Sequence, residues 1–161
     1  GPGTSGSLLV RMLRERGFPR GRLGWVDVRE VASAVVAALD ARAGSAYILS
    51  GITERLDRIA GRLDALTGRR RARVFAPRPI LRPIARLNER LGAPMRGLPP
   101  ADNLEVIFAS PPIIDGSRAE RDLGIRYRDL DETLADAIRW WADHGVIDRG
   151  QAGRIAAIKR G

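Results

Sequence analysis

The amino-acid sequence predicts an α/β fold that carries a mostly helical lobe. The main indication is the stretch from Leu23 to Leu39, in which a short β-prone run leads directly into an amphipathic helix. A second strand-like run, Ala46 to Ser50, follows soon after. Strands that alternate with helices are typical of an α/β layer, so we expect these elements to pack as one.

The start of this helix is marked by Asp27 and Glu30, which have the D-x-x-E spacing of a capping box. The Asp27 carboxylate can accept a hydrogen bond from an unpaired N–H of the first turn, and Glu30 can reach back to the cap. Apolar residues then recur at helical spacing, namely Val28, Val31, Val35 and Leu39. This pattern predicts an amphipathic helix that continues to about Ala41.

Apolar periodicity and chain breakers predict the other elements. Helices are expected at Ser7–Arg16, from Thr53 to Gly68, over Ile84–Leu91, around Leu104–Phe108, after a cap at Ser117, and from Asp129 to Gly145. Short strands are expected at Tyr47–Ser50 and at Val74–Phe75, whereas Phe18–Gly24 is expected to be a loop. Gly17, Gly68 and Gly124 are expected to end helices.

Composition excludes several classes of protein. The 161 residues are enough for one domain or part of one, and their 44% hydrophobic and 29% charged content is typical of a folded chain. There is no cysteine and only one histidine, so disulfides are excluded and we expect no metal site. No apolar run approaches the roughly 20 residues that a membrane-spanning helix needs. The sequence also shows no signal peptide, so we expect a cytoplasmic protein. The first methionine is Met12, so we expect a processed, cloned or fragmentary chain.

The net charge of +9 comes from 28 basic and 19 acidic residues, and Lys159 is the only lysine. This balance is compatible with nucleic acid, anionic lipid or a phosphorylated ligand, and does not decide among them. The cluster Arg69–Arg73 could bind phosphate or nucleic acid. We favour a solvated surface turn, because no aromatic residues interleave with these arginines.

The segment Gly1–Gly6 satisfies the G-x-G-x-x-G pattern of dinucleotide-binding turns. That pattern is informative only when a strand comes immediately before it, so that the pyrophosphate meets the N-terminus of the next helix. The sequence shows no strand before this pattern, so we expect no cofactor-binding residue in it.

The segment Trp25–Ala32, with the sequence WVDVREVA, resembles the FVHVDDVA segment of extended short-chain dehydrogenases/reductases. This family includes NAD-dependent epimerases/dehydratases and dihydroflavonol-reductase-like enzymes. Asp27 stands where those enzymes often carry histidine, and Arg29-Glu30 where they often carry two acids. Four further segments resemble later parts of the family in the same order, namely Gly1–Gly3, Tyr47–Gly51, Ile113–Gly124 and Leu130–Trp141.

The resemblance implies that this chain is the C-terminal part of a Rossmann-like extended short-chain reductase. Residues 1–144 would form the substrate-binding portion, with a mostly helical lobe, and residues 145–161 a basic tail. The family's catalytic Tyr-x-x-x-Lys pair is missing, because Tyr47 and Tyr127 are followed four positions later by Gly51 and Asp131. No catalytic residue is therefore assigned, and the chain is expected to be inactive alone.

In complete members of the family, NAD or NADP binds to the N-terminal half. The resemblance therefore implies a partner, the missing cofactor-binding half on the same or a separate chain, and a small-molecule substrate. We expect no cofactor bound by this chain alone and no membrane, and nucleic acid is not favoured. The arginine-rich segment Pro79–Leu91 could lie on a membrane surface, but in the resembling enzymes this region belongs to the substrate lobe, and we favour that interpretation.

Three residues are candidates for contact with the substrate. Arg22 lies one residue away from the position at which sugar-nucleotide epimerases place a diphosphate-binding arginine. Trp25 could line the substrate cavity as the equivalent aromatic residue does in some relatives, or belong to the core. Asp27 could face the substrate at the end of the strand, although we favour its role as a helix cap.

The alternative function is a small basic module that binds nucleic acid on a degenerate scaffold. It requires one continuous positive face that comprises Arg69–Arg73, Arg78, Arg82, Arg86 and Arg90. The preferred function has a different physical consequence, because the apolar residues Val31, Val35, Ile48 and Leu49 would then lack strands to pack against. We expect their side chains to be exposed and the isolated polypeptide to be marginally stable or to pair with another chain.

Overall fold

A computed structural model describes residues 4–90, 104, 107–108 and 114–157. Its helices are α1 (Thr4–Met12), α2 (Val28–Ala38), α3 (Leu56–Thr67), α4 (Arg78–Arg90), α5 (Ser117–Leu123), α6 (Leu130–Asp143) and α7 (Arg149–Ala152), the last followed by a 3-10 helix (Gly153–Ala157). Its strands are β1 (Gly17–Pro19), β2 (Arg22–Trp25), β3 (Ile52–Arg55) and β4 (Val74–Ala76).

The strands of the described residues form two separate pairs. β1 and β4 are parallel, with Phe18 opposite Phe75, and β2 and β3 are antiparallel, with Trp25 opposite Ile52. The predicted α/β class is confirmed, with helices in the majority.

One main core joins both pairs of strands to the helices. Its fully buried side chains come from α1, α3 and α6, namely Met12, Leu56, Ile59, Leu63, Leu134 and Ile138. Phe18 and Trp25 enter the same core from β1 and β2. The chain after residue 144 also contributes, because Ile147, Ala152 and Ile155 are buried there. A second, smaller cluster around Ala34, Ala119 and Ile125 joins α2 to α5.

The predicted capping box at the start of α2 is confirmed. Asp27 Oδ1 accepts a hydrogen bond from Arg29 N at 2.8 Å, and Asp27 N donates to Glu30 Oε2 at 3.0 Å. The predicted cap of α6 is also confirmed, since Asp129 Oδ1 accepts from Asp131 N at 2.8 Å. Two of the three predicted glycine stops are left-handed, with φ of 70° at Gly68 and 66° at Gly124, whereas Gly17 does not end a helix.

The predicted strand at Tyr47–Ser50 is wrong, because these residues have no strand partner in the described part of the chain. The strand lies further on, at Ile52–Arg55, where it pairs with β2. Gly51 N donates to Trp25 O at 3.0 Å and extends this pairing by one residue. Thr53 is consequently a strand residue, and α3 begins after Arg55 with no side-chain cap.

Several other boundaries differ from the predictions. The expected loop Phe18–Gly24 contains most of β1 and β2, and α1 ends at Met12, well before Gly17. Helix α4 begins at Arg78, before the predicted start at Ile84. Pro79 is tolerated because it lies in the first turn, where its missing N–H would lack a helical partner anyway, whereas Pro83 lies inside the helix. The cap predicted at Ser117 is wrong, because Ser117 is the first helical residue and the N-cap is Gly116, which has no side-chain cap. Asp115 Oδ1 accepts a hydrogen bond from Ser117 N at 2.9 Å just before the helix.

The remaining predicted elements have different outcomes. The strand predicted at Val74–Phe75 is confirmed as part of β4. Leu104, Ile107 and Phe108 are helical, as predicted. Predictions for Gly1–Gly3, Leu91, Ile113 and Lys159 lie outside the described residues.

Part of the apolar surface is exposed as expected. Val35 is 59% exposed and Ile48 is 60% exposed. Val31 and Leu49 are half-buried instead, and Leu49 packs against the smaller cluster. Within residues 4–90 and 114–157, no helix has the length and apolar character to span a bilayer.

Candidate functional site

A pocket of about 630 Å³ lies between the beginning of α2 and the inner face of α6. Gly6 and Leu9 of α1 close one end of it. The other lining residues are Trp25, Val26, Asp27, Val28, Arg29, Thr133, Leu134, Asp136, Ala137, Arg139, Trp140, Trp141 and Asp143. This size is in the range of small-molecule sites, which are mostly apolar clefts of about 300–1,000 Å³.

The apolar wall of the pocket contains all three tryptophans of the chain. Trp25 and Trp141 are buried, whereas Trp140 is 53% exposed and stacks on His144 with ring centroids 4.0 Å apart. The sequence pattern predicts that Trp140 and Trp141 attach α6 to the domain with one ring buried and one partly exposed, and this prediction is confirmed. Flat aromatic surfaces suit an apolar or ring-containing ligand.

The polar side of the pocket is a chain of ion pairs that ties α2 to α6. Arg29 Nη2 lies 2.6 Å from Asp27 Oδ2, and Arg29 Nη1 lies 2.8 Å from Asp136 Oδ2. Arg139 Nη1 lies 2.7 Å from Asp136 Oδ1. Thr133 Oγ1 donates to Asp27 Oδ2 at 3.0 Å. The four charges alternate in sign, so each carboxylate is held by a guanidinium.

Asp27 is a fixed anion in this arrangement. The hydrogen bonds from the Arg29 side chain lower the pKa of Asp27 far below its ordinary value, and the Arg29 N–H and Thr133 lower it further against the effect of burial. The same contacts raise the pKa of Arg29. Both carboxylate oxygens of Asp27 accept hydrogen bonds from within the chain, so its geometry fits a cap and anchor better than a proton donor.

Two buried donors at this pocket have no hydrogen-bond partner among the described residues, namely Trp25 Nε1 and Arg139 Nε. A small cavity of about 20 Å³ lies behind the pocket, with Trp25, Glu30 and Thr133 among its lining residues. A cavity of this size can hold one water molecule when polar groups surround it. Buried polar groups are normally paired, so we expect a water there.

The structure brings together two of the three predicted substrate-contacting residues. Trp25 and Asp27 line the pocket, whereas Arg22 is exposed on β2 opposite Arg55 and is not among the lining residues. Sequence analysis did not identify Arg29, Asp136 or Arg139 as site residues. Arg29 and Asp136 are 107 positions apart, and no local pattern connects them.

Neither a metal-binding cluster nor a Rossmann-type turn is present among the described residues. In residues 4–90 and 114–157, no three residues of the types His, Cys, Asp and Glu are grouped for metal binding. Strands β2, β3 and β4 each lead into a helix, but none of these three connections contains a glycine. In Rossmann folds the dinucleotide pyrophosphate binds at a glycine-rich turn before a helix N-terminus, so these three connections do not match that motif.

Comparison with known proteins gives two curated relatives and a similar solved structure. The chain is 27% identical over 155 residues to a dihydroflavonol 4-reductase-like protein from Synechocystis sp., over 91% of this chain and 45% of that protein. It is 31% identical over 140 residues to sterol demethylase protein B from Methylococcus capsulatus, over 83% of this chain and 42% of that protein. No protein-family model matches the chain.

The crystal structure of a nucleoside-diphosphate-sugar epimerase from Pseudomonas aeruginosa has the same fold, with a TM-score of 0.70 at 23% identity. The alignment covers 90% of this chain and 44% of the epimerase. The chain thus spans less than half the length of the curated relatives it matches. The predicted resemblance to dihydroflavonol-reductase-like and NAD-dependent sugar-epimerase proteins is confirmed, as is the predicted fold.

Proposed function

We propose that this chain is the substrate-binding portion of an NAD(P)-dependent oxidoreductase of the reductase and epimerase group. The observation that carries the proposal is the pocket between α2 and α6, where three tryptophans face a fixed chain of ion pairs. An apolar cleft with a few convergent polar groups is the usual form of a small-molecule site.

The charges of the pocket favour an uncharged substrate. Among the described residues, the lining contains three carboxylates, Asp27, Asp136 and Asp143, and two guanidinium groups, Arg29 and Arg139. Both guanidinium groups are paired with carboxylates at 2.6–2.8 Å. A nucleoside diphosphate would bring further negative charge into a lining that is already net negative, which costs free energy. A ring-containing alcohol or ketone, as in a dihydroflavonol or a sterol, fits this lining better.

In this proposal, Trp25 forms a flat apolar wall, and Asp27 acts through Arg29 and Thr133 as a positioning residue. Because Asp27 is fixed by both partners, it holds the start of α2 against α6 and so maintains the width of the pocket. Arg22 has no contact role in this pocket. A role for Arg22 would require a substrate that extends beyond the pocket along β2.

The cofactor belongs to a partner portion that this chain would complete. When bound, a reduced nicotinamide supplies hydride to a carbonyl carbon. The lengths of the relatives support such a partner portion, because this chain aligns with only 45% of the length of one relative and 42% of the other. The side chains of Val35 and Ile48 are apolar and exposed, which is typical of a surface that a partner covers.

The proposal is tested by titrating the purified chain with dihydroquercetin and, separately, with UDP-glucose, while tryptophan emission is recorded. Because Trp25, Trp140 and Trp141 all line the pocket, a bound ligand should change the emission. We expect dihydroquercetin to change the tryptophan emission saturably and UDP-glucose to leave it unchanged. A saturable emission change with UDP-glucose alone would contradict the reductase-like substrate class. An emission that neither dihydroquercetin nor UDP-glucose changes would contradict ligand binding in this pocket.

A filled-pocket variant makes this test specific. Ala137 lines the pocket and is half-buried, so Ala137→Phe should occupy the space and abolish the titration. Ala32→Phe adds the same side chain at an exposed position of α2 and should bind like the wild type. If Ala137→Phe and Ala32→Phe bind dihydroquercetin equally well, the ligand binds outside this pocket.

The alternative nucleic-acid-binding function is less well supported. It requires Arg73 on a continuous positive surface, but the Arg73 side chain is only 3% exposed and pairs with Asp64 at 2.8 Å. Arg73 is therefore a structural residue that holds the chain after α3.

A further inference from the structure

A second pocket, of about 670 Å³, surrounds the C-terminal end of α3. Its lining comprises Gly61, Asp64, Ala65, Gly68, Arg70, Arg71, Ala72 and Arg154. It shares no lining residue with the tryptophan-lined pocket. Of its eight lining residues in the described part of the chain, three are arginines and one, Asp64, is an acid.

The single acid of this pocket is already neutralised. Asp64 Oδ1 pairs with Arg73 Nη1 at 2.8 Å, and Asp64 Oδ2 accepts from Arg71 N at 3.1 Å. Arg73 stands behind Asp64, almost fully buried, and its Nη2 has no hydrogen-bond partner among the described residues. The charge that remains for a ligand is therefore positive.

The three guanidinium groups retain donors for a ligand. Arg70 is exposed and makes no side-chain hydrogen bond or ion pair within the described part of the chain. Arg71 Nη1 makes only a long contact of 3.4 Å, to Arg14 O. Arg154 Nε donates to Leu66 O at 3.0 Å and its Nη2 donates to Ala65 O, which leaves the Nη1 donors.

Arg154 also changes the electrostatics of the helix end. The last carbonyls of a helix carry partial negative charge and repel anions. Here the Arg154 guanidinium covers the carbonyls of Ala65 and Leu66, so their partial charge is offset. Burial, together with the neighbouring charges of Arg69 and Arg73, lowers the pKa of Arg71, and a bound anion would relieve that repulsion.

We propose that this arginine-lined pocket binds a phosphorylated small molecule of about nucleotide size. Guanidinium groups donate paired N–H bonds whose geometry matches phosphate oxygens, and such charge-assisted bonds are strong. The volume of about 670 Å³ accommodates more than one phosphate group. This inference is independent of the proposed substrate pocket and of its ligand.

The test is isothermal titration calorimetry of the full chain with inorganic pyrophosphate, with ADP, and with adenosine as the uncharged probe. Pyrophosphate and ADP should bind with one-to-one stoichiometry, and adenosine should not. Arg70→Gln and Arg71→Gln should each weaken ADP binding about tenfold, the loss of one charge-assisted contact. Arg42→Gln removes an equal charge from an exposed position outside the pocket and should leave ADP binding unchanged.

Three results would overturn the proposal. The first is the absence of saturable binding of pyrophosphate and ADP at low salt. The second is binding that Arg42→Gln weakens as much as Arg70→Gln does, since this would show diffuse attraction to the net charge of the chain. The third is tighter binding of single-stranded RNA than of ADP, with an equal loss of RNA affinity in Arg70→Gln, Arg71→Gln and Arg42→Gln. This result would assign the positive charge to nucleic-acid binding instead of to a small-molecule site.

Discussion

Arg29 Nη1 lies 2.8 Å from Asp136 Oδ2, an ion pair between residues 107 positions apart. Arg29 also holds the cap of its own helix through Asp27, at 2.6 Å. The capping geometry of α2 is thus connected directly to α6, across the mouth of the tryptophan-lined pocket. A change at either carboxylate should therefore affect both the stability of the fold and the shape of the pocket.

Asp27→Asn should lower the free energy of unfolding by about 1–2 kcal/mol at pH 7, because asparagine still caps the helix but loses the ion pair with the half-exposed Arg29. The Asp27 side chain is only 5% exposed, so water replaces little of the lost interaction. Urea unfolding followed by circular dichroism measures the change. Asp40→Asn, which alters an exposed acid just beyond the other end of α2, should change stability by less than about 0.5 kcal/mol.

The same variant should reduce the sensitivity of the protein to acid. The folded pKa of Asp27 is lowered from its ordinary value of 3.8, so its stabilisation is present above that pH and is lost as the pH falls towards the folded pKa. The difference in unfolding free energy between wild type and Asp27→Asn should therefore shrink between about pH 5 and pH 2. A difference that stays constant over this range would contradict the ionised, paired state of Asp27.

Tyr127→Phe should destabilise the fold by about 1–2 kcal/mol, because it leaves a backbone group without its partner. Tyr127 Oη accepts from Ser50 N at 3.2 Å and donates to Gly116 O at 3.4 Å. Chemical denaturation gives the change, and Tyr47→Phe is the matched control. Tyr47 lies under Arg118 with its ring 5.1 Å away, a contact that phenylalanine preserves. Equal effects of the two substitutions would show that the Tyr127 hydroxyl has no special role.

Two glycine substitutions should change stability in opposite directions. A Cβ atom at Gly116 would lie 2.5 Å from Ser50 O and 2.6 Å from Tyr127 Oη, so Gly116→Ala should cost at least about 2 kcal/mol. A Cβ atom at Gly61, inside α3, would meet nothing within 4 Å, so Gly61→Ala should stabilise by about 0.5–1 kcal/mol. Thermal melts of both variants test this, and a stabilised Gly116→Ala would contradict the close approach.

The exposed apolar face of α2 should promote association. Val35 is 59% and Val36 is 66% exposed, and the double substitution Val35→Lys/Val36→Lys should change the unfolding free energy by less than about 1 kcal/mol. Sedimentation velocity should show that the wild type increases in mass with concentration and that this variant stays monomeric. Ser33→Lys adds charge to the same helix outside the apolar face and should associate like the wild type. A wild type that is monomeric at all concentrations would contradict a partner surface on α2.

Local signals in the sequence predicted local structure well. The capping box at Asp27 and Glu30 and the left-handed stops at Gly68 and Gly124 depend on neighbouring residues only, and the structure confirms all of them. The apolar run at Tyr47–Ser50 did not predict the strand, because pairing with β2 selects Ile52–Arg55 instead. Strand register depends on tertiary contacts, which no local pattern contains.

The candidate site was predictable only in part. Trp25 and Asp27 lie in the stretch that carries the family resemblance, and both line the pocket. Arg22 was proposed by alignment to a diphosphate-binding arginine, but its exposed position on β2 lies outside the lining. Asp136 and Arg139 come from a helix whose sequence shows only an amphipathic pattern. Their role in the pocket depends on the packing of α6 against α2.

The most direct test of the central claim is a paired titration of the unmodified chain. Tryptophan emission reports dihydroquercetin, and the emission of NADPH itself reports cofactor binding. A substrate-binding portion should bind dihydroquercetin saturably and should leave the emission of the reduced nicotinamide ring unchanged, even where the phosphates of NADPH reach the arginine-lined pocket. A changed nicotinamide emission at micromolar NADPH, without any response to dihydroquercetin, would contradict this account, because it would make the chain a cofactor-binding unit.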